Sequence, residues 1–314
     1  SMLKTGCAQS DATCALVSAL EPTLPIHPNF TSAHGRTPCV ATRSSSALPA
    51  CIPAVHIISG WHMFAHEALL WLPQLGGVEL RSSQCFDDWA DDEGAKRWVS
   101  SFATGKPVGA ETLLIAKCDK LLGWYPAFAG RYTSAWSKAY GPCKEREVAK
   151  GGDYYRNRMW QVCRPLALAA HDKAVGIGGT GREATPPLVM RALYGTRVKI
   201  ISALRSPVDR LETAFWVHRH YPSKYGKSAA GLHAYTQEQT SAFTKCEARY
   251  STRRCAFLFE LLDEANSDVF FHCDQIIRGL YAPFIEDWLA AFGRQGVLVL
   301  RVEDLLDRPL EARQ

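Results

Sequence analysis

Arg197-Val198-Lys199-Ile200-Ile201-Ser202-Ala203-Leu204-Arg205-Ser206-Pro207-Val208-Asp209-Arg210-Leu211-Glu212-Thr213 is the stretch that decides the fold. Its first half, Arg197 to Leu204, is a β-rich run that ends in Arg205-Ser206-Pro207. From Val208 to His220 the apolar residues Val208, Leu211 and Phe215, with Trp216 beside them, recur at helical spacing. Pro207 sits near the helix start, where a missing N–H is tolerated. Upstream, Ala54-Val55-His56-Ile57-Ile58, entered from Cys51-Ile52-Pro53, is the first strong strand. A turn at Ser59-Gly60 follows, then an apolar run from Phe64 to Leu75 that predicts a buried helix stopped by Gly76-Gly77. Downstream, the helix Leu280 to Phe292 ends at Gly293 and leads directly into the strand Val297-Leu298-Val299-Leu300-Arg301. Strands alternating with helices predict an α/β fold, a mainly parallel sheet flanked by helices. Ligands of such sheets bind beyond the carboxyl ends of the strands. His62, Arg205 and Glu303 all follow predicted strands, which puts them on one rim.

Residues 1–50 are rich in Ser, Thr, Ala and Pro and read as an irregular arm; 51–314 read as one domain, with a mostly helical insertion at about 90–175. Within it, 85–97 are acidic and read as exposed, and Gly105-Lys106-Pro107, Gly141-Pro142 and Gly151-Gly152 interrupt the helical pattern. The 314 residues are 47% apolar and 21% charged, the balance of a globular protein, which excludes wholesale disorder. No uncharged apolar window is long enough to span a bilayer. Ser1-Met2 reads as a cleavage scar, so the lack of a targeting segment carries no information. Thirty-six basic and 31 acidic residues leave a net charge of +5 without clustering, which favours anionic ligands and argues against nucleic acid. Eleven cysteines and the sequon Asn29-Phe30-Thr31 fit an oxidising secretory lumen.

Arg205 at a strand end can fork onto a phosphate, and Thr213 can donate to the same anion, beside the backbone N–H groups of a helix start. The plain alternative is an Arg–Asp pair at a helix cap. On these residues the chain resembles the sulfotransferases that use 3′-phosphoadenosine 5′-phosphosulfate. Their 3′-phosphate motif reads Arg-x-Pro-x-x-Arg-x-x-Ser; Arg205, Pro207 and Arg210 match it, and Thr213 stands for the serine. Gly181-Arg182-Glu183-Ala184-Thr185-Pro186 is similar to the family's Gly-Glu-Ala-Thr-Pro, with one residue inserted. Gly279-Leu280-Tyr281, Trp288-Leu289, Phe292 and Leu298 to Leu305 follow the family's closing helix and strand. The segment Cys246-x-x-x-Tyr250-Ser251-x-Arg253-x-Cys255 resembles the Golgi carbohydrate sulfotransferases, in particular the branch that 6-sulfates 4-sulfated N-acetylgalactosamine.

The resemblance, which covers roughly 180–310, implies a second half-site after the first strand that holds the 5′-phosphosulfate. Gly60, Trp61, His62, Met63, Phe64, Ala65 and His66 occupy that loop, with His62 at the family's lysine and Phe64-Ala65-His66 in place of Gly-Thr-Thr. Backbone amines at a helix start still cradle phosphate there, and a protonated His62 takes the lysine's role as acid on the bridging oxygen. A rival register, Thr104-Gly105-Lys106-Pro107, has the lysine but a weaker preceding strand, Trp98 to Ala103. For the base that activates the acceptor hydroxyl, Glu145 in Lys144-Glu145-Arg146-Glu147 is the candidate, with Gln84 nearer the family's position and Glu183 a further carboxylate. A charge run of that kind is commonly a solvated helix face. His218 and His220 follow the phosphate helix and are placed to meet an anionic acceptor; two apart, they do not share a helix face, so no metal site is expected. Cys246 and Cys255, nine residues apart, are expected to form a disulfide.

The implied activity is sulfuryl transfer from 3′-phosphoadenosine 5′-phosphosulfate to a hydroxyl of a carbohydrate acceptor in the Golgi lumen or secretory pathway. The competing expectation is a binding protein that kept the fold and lost the 5′ loop. The family's later Arg-Lys-Gly-type loop over the nucleotide is not found up to Gln314, and a chain ending there is expected to hold the nucleotide poorly.

Overall fold

The computed structural model describes residues 36–37, 39–40, 50–60, 76–82, 111–118, 122, 126–150, 159–175, 185–187, 190–191 and 197–307. Two short strands, β1 (Cys39–Val40) and β2 (Ala50–Cys51), pair antiparallel, with Cys39 opposite Cys51. The main sheet has five parallel strands: β3 (Val55–Ile58), β4 (Val78–Ser82), β5 (Leu113–Cys118), β6 (Lys199–Leu204) and β7 (Val297–Arg301). Their spatial order is β4-β5-β3-β6-β7. β3 is therefore central, and its His56, Ile57 and Ile58 are all buried, as a strand covered on both faces requires. From β3 the chain moves to one side of the sheet, to β4 and back to β5; from β6 it moves to the other, to β7. The strand order thus reverses between the neighbours β3 and β6, and the crevice beyond their carboxyl ends is the binding place this topology creates.

The helices are α1 (Pro126–Ala149), α2 (Arg164–Val175), α3 (Pro207–Val217), α4 (His220–Tyr225), α5 (Ala229–Glu247), α6 (Thr252–Leu262), α7 (Glu264–Ser267), α8 (Asp274–Ile277), α9 (Ala282–Phe292) and α10 (Val302–Asp307). A π-helical turn, Met159–Cys163, precedes α2, and Cys163 is disulfide-bonded to Cys143 of α1. The expected Cys246–Cys255 bridge is present and joins the last turn of α5 to the first of α6. Serines cap three helices by accepting backbone N–H bonds: Ser206 from Asp209, Ser228 from Gly231 and Ser251 from Arg254. Gly231 is obligatory, because a Cβ there would lie 2.0 Å from the Gly226 carbonyl oxygen. Phe243, Phe257, Phe259, Ile277 and Phe284 form the core beneath α5, α6 and α9, and Phe215, Tyr221 and Tyr235 a second cluster.

The strands at 55–58, 199–204 and 297–301 and the helices at 207–217 and 282–292 fall where the sequence places them. Strand β5 does not, since it lies inside the stretch read as mostly helical. Leu-Leu-Ile-Ala-Lys-Cys is a short apolar run, and periodicity does not separate a buried strand from a helix in such a run. Among the described residues, no helix is long and apolar enough to cross a membrane.

Candidate functional site

Ile58 of β3 is level with Ser202 of β6, so Gly60 comes level with Leu204, the residue before Arg205. Ser59 and Gly60 are buried at this strand end, and the Leu122 N–H donates to the Ser59 carbonyl at 3.2 Å. The loop that leaves the central strand and the strand-to-helix turn at 205–207 therefore begin side by side at the reversal point.

Arg205 and Thr213 meet there. The Arg205 Nη1 donates to Thr213 Oγ1 at 3.0 Å, and Thr213 donates its own proton to the Asp209 carbonyl at 2.8 Å. A guanidinium carries five N–H donors in a rigid fork, and one of them holds Thr213. The pair is assembled because Thr213 stands two helical turns beyond Arg205, on the face that looks back to the strand end. The helix start contributes less than the sequence leads one to expect. Pro207 has no N–H, the Asp209 N–H is capped by Ser206, and the Arg210 N–H is bonded to the Ser206 carbonyl. Of the N–H groups in this first turn only that of Val208 is left, so anion binding at this end rests mainly on side chains.

Three contacts hold the turn in place. The Ser206 N–H donates to Glu303 Oε1 at 2.7 Å, which ties the end of β6 to the first turn of α10. That N–H, with smaller help from Arg301 and Arg205, holds the Glu303 carboxyl below the usual carboxylate range. The Tyr281 hydroxyl donates to the Arg205 carbonyl at 2.8 Å. Arg210 is wholly buried and donates to the side-chain and main-chain oxygens of Gln275; burial pulls its guanidinium down to about 10. Gly279 packs against this arrangement, where a Cβ would come 3.4 Å from the Pro207 Cβ and 3.5 Å from Arg210 Nη2. Tyr281 and Gln275 were not singled out for roles by the sequence. The Gly-Leu-Tyr triplet was the signal for Tyr281; nothing marked Gln275.

Arg205 and Thr213 are thus joined, and Gly60 lies just past the end of the neighbouring strand β3. Trp61, His62, Met63, Phe64, Ala65 and His66 lie outside the described residues, as do Gln84, Lys106 and Glu183. Glu145 is exposed on α1 between exposed Lys144 and Arg146. Its neighbour Glu147 is buried and pairs with Lys150 at 2.7 Å. No described contact joins Glu145 to the Arg205 cluster. Thr185 and Pro186 are buried ahead of β6. His218 and His220 stack at 5.2 Å beyond the far end of α3, and burial lowers the pKa of both.

No protein-family model matches the chain. Over 111 residues, 35% of this chain, it is 32% identical to carbohydrate sulfotransferase 15 of Homo sapiens and of Mus musculus. It is 31% identical to that of Rattus norvegicus over the same length. The matched stretch spans 18% of the length of each of these relatives. It relates the chain to the carbohydrate sulfotransferases. A sulfotransferase from Alicyclobacillus acidocaldarius is a structural neighbour with TM-score 0.36 and 14% identity, over 83% of this chain and 77% of that one.

Proposed function

We propose that this chain, related to the carbohydrate sulfotransferases, transfers a sulfuryl group from 3′-phosphoadenosine 5′-phosphosulfate to a hydroxyl of a carbohydrate. The observation that carries the proposal is the Arg205–Thr213 pair, held at 3.0 Å beside the end of the central strand at the reversal point of the sheet. A guanidinium and a hydroxyl in that position suit the 3′-phosphate, and the buried Ser59-Gly60 strand end begins the loop assigned to the 5′-phosphosulfate. The nucleotide, when bound, supplies an activated sulfuryl group on a phosphate leaving group.

The chain's own residues have three tasks. Arg205 and Thr213 fix the nucleotide by its 3′-phosphate. The loop Gly60, Trp61, His62, Met63, Phe64, Ala65 and His66 surrounds the 5′ end, with His62 delivering a proton to the bridging oxygen. As the acceptor oxygen bonds to sulfur, the S–O bond to phosphate breaks and its electron pair stays on the phosphate oxygen, where positive and N–H groups stabilise it. Glu145 is our candidate to take the hydroxyl proton. His62 is favoured over Lys106 because it follows β3, the central strand beside β6. The disulfides Cys143–Cys163 and Cys246–Cys255 suit an oxidising compartment, and we place the protein in the Golgi lumen or secretory pathway.

The test is transfer of radiolabelled sulfuryl to a panel of sulfated and unsulfated glycans by the wild-type protein, His62→Ala and Lys106→Ala. We expect turnover with wild type and Lys106→Ala and its loss in His62→Ala. Nucleotide binding without turnover on any glycan would instead favour a binding protein that keeps only the 3′-phosphate site.

A further inference from the structure

Helix α3, about 16 Å long, carries the chain from the turn at Arg205 past Thr213 to a second surface. His218, His220 and Phe271 form a ladder of rings there. The two imidazoles stack at 5.2 Å and 23°, and His220 lies on Phe271 at 4.0 Å and 14°. Phe271 is 40% exposed although its ring has a partner on one face. It is held out by an unusual backbone: Phe271, His272 and Cys273 have φ of 51°, 52° and 59°, three successive residues with a Cβ in the left-handed region. Strain of this kind is retained where the presented side chain has a use.

Basic residues predominate in the stretch of chain that carries the two histidines of the ladder. From Thr213 to Gln237 the sequence has no Asp or Glu, while it carries Arg219, Lys224, Lys227 and three histidines. Of the nearby carboxylates, Glu238 is engaged by Lys224 and Tyr225, Glu260 by His272 and Asp274 by Arg278, while Asp268 is exposed. Arg219 and Lys227 are exposed. Burial lowers the pKa of both His218 and His220, which favours their neutral form.

We propose that the His218–His220–Phe271 ladder, with exposed Arg219 between its histidines in the chain and exposed Lys227 two residues past α4, binds an anionic polysaccharide away from the nucleotide pair. Flat rings meet the apolar faces of sugar rings, and the cations meet sulfate or carboxylate groups. A lipid surface is a poorer match, because two of the three rings are polar imidazoles stacked against each other rather than apolar side chains projecting outward. This surface deepens the sulfotransferase reading by giving a long acceptor a second hold, and it rests on that reading only for the purpose of the binding.

Affinity electrophoresis in gels containing dextran sulfate, hyaluronan or neutral dextran tests it. The protein is compared with Phe271→Ala and with Arg219→Glu/Lys227→Glu, two exposed positions whose reversal leaves the core intact. We expect retardation by both anionic polymers and none by neutral dextran. The double reversal is expected to bind about tenfold more weakly, and Phe271→Ala severalfold more weakly at unchanged net charge. Wild-type affinity in the double variant would overturn the proposal. So would binding to phosphatidylserine vesicles with none to the anionic polymers. Parallel titration of the same proteins with 3′-phosphoadenosine 5′-phosphate reports separately on the nucleotide site, so the two readings fail independently.

Discussion

Thr213 has one hydroxyl proton, and it points at the Asp209 carbonyl while Arg205 holds the oxygen from the other side. The residue therefore positions the guanidinium as much as it offers a ligand contact. Thr213→Val keeps the shape and removes both bonds, and we expect the affinity for 3′-phosphoadenosine 5′-phosphate to fall about tenfold. Thr213→Ser restores the hydroxyl and is expected to bind within about threefold of wild type, both values read by calorimetry. Equal loss in the two variants would show that the methyl group, not the hydroxyl, matters. Tyr281 acts one step back, through the Arg205 carbonyl. Tyr281→Phe leaves that carbonyl without its donor and is expected to lower stability by about 1 kcal/mol in denaturant titrations. Arg205 and Thr213 were legible in the sequence because an arginine at a strand end and a hydroxyl two turns later form a local pattern. The Ser206–Glu303 bond was not, since it joins residues 97 apart and depends on how β6 and β7 pair.

At the scale of elements, two fastenings hold the second half of the chain around the site. The Cys246–Cys255 disulfide closes the turn between α5 and α6, and a loop of that size stabilises by roughly 2–3 kcal/mol in the chain-entropy model. Replacing both cysteines with alanine is expected to lower the free energy of unfolding by that amount, measured by denaturant titration under oxidising conditions. Between α6 and α9, Arg253 grips Asp287 with two bonds of 2.7 and 3.1 Å and lies 4.4 Å over the Phe257 ring. Both side chains are largely buried, so Asp287→Ala strands a cation and is expected to cost about 3–5 kcal/mol, more than the disulfide. A smaller loss than that of the disulfide variant would contradict this ranking. Helices α3 and α9 were readable from apolar spacing and from Pro207 and Gly293 at their ends. The left-handed turn at Phe271–Cys273 was not, because no glycine announces it.

For the whole molecule, the parallel sheet has its reversal between β3 and β6, and both proposed half-sites follow these two strands in the chain. Alternating strands and helices foretold the layers of the fold. The strand order needed the structure, because β5, the neighbour of β3, carries no clear strand pattern. His56 in the central strand also links folding to pH. Burial drops its imidazole to about 3, against an ordinary value near 6.5, with a backbone bond at Pro53 opposing the shift. The unfolded chain takes up this proton as pH falls below about 6.5 and the folded chain does not, so stability falls between there and about pH 3. The slope reaches about 1.4 kcal/mol per pH unit for this one group. His56→Leu is expected to flatten the decline between about pH 6.5 and pH 5, where carboxylates contribute little; an unchanged slope would assign it to other groups. The central claim is that a 3′-phosphorylated nucleotide binds where β3 and β6 part. Calorimetric titration of the wild-type protein and Arg205→Ala with 3′-phosphoadenosine 5′-phosphate tests it most directly. We expect one site per chain in the wild type and at least about a tenfold loss of affinity in Arg205→Ala; no binding by the wild type, or equal binding by both, would show that the nucleotide does not bind there.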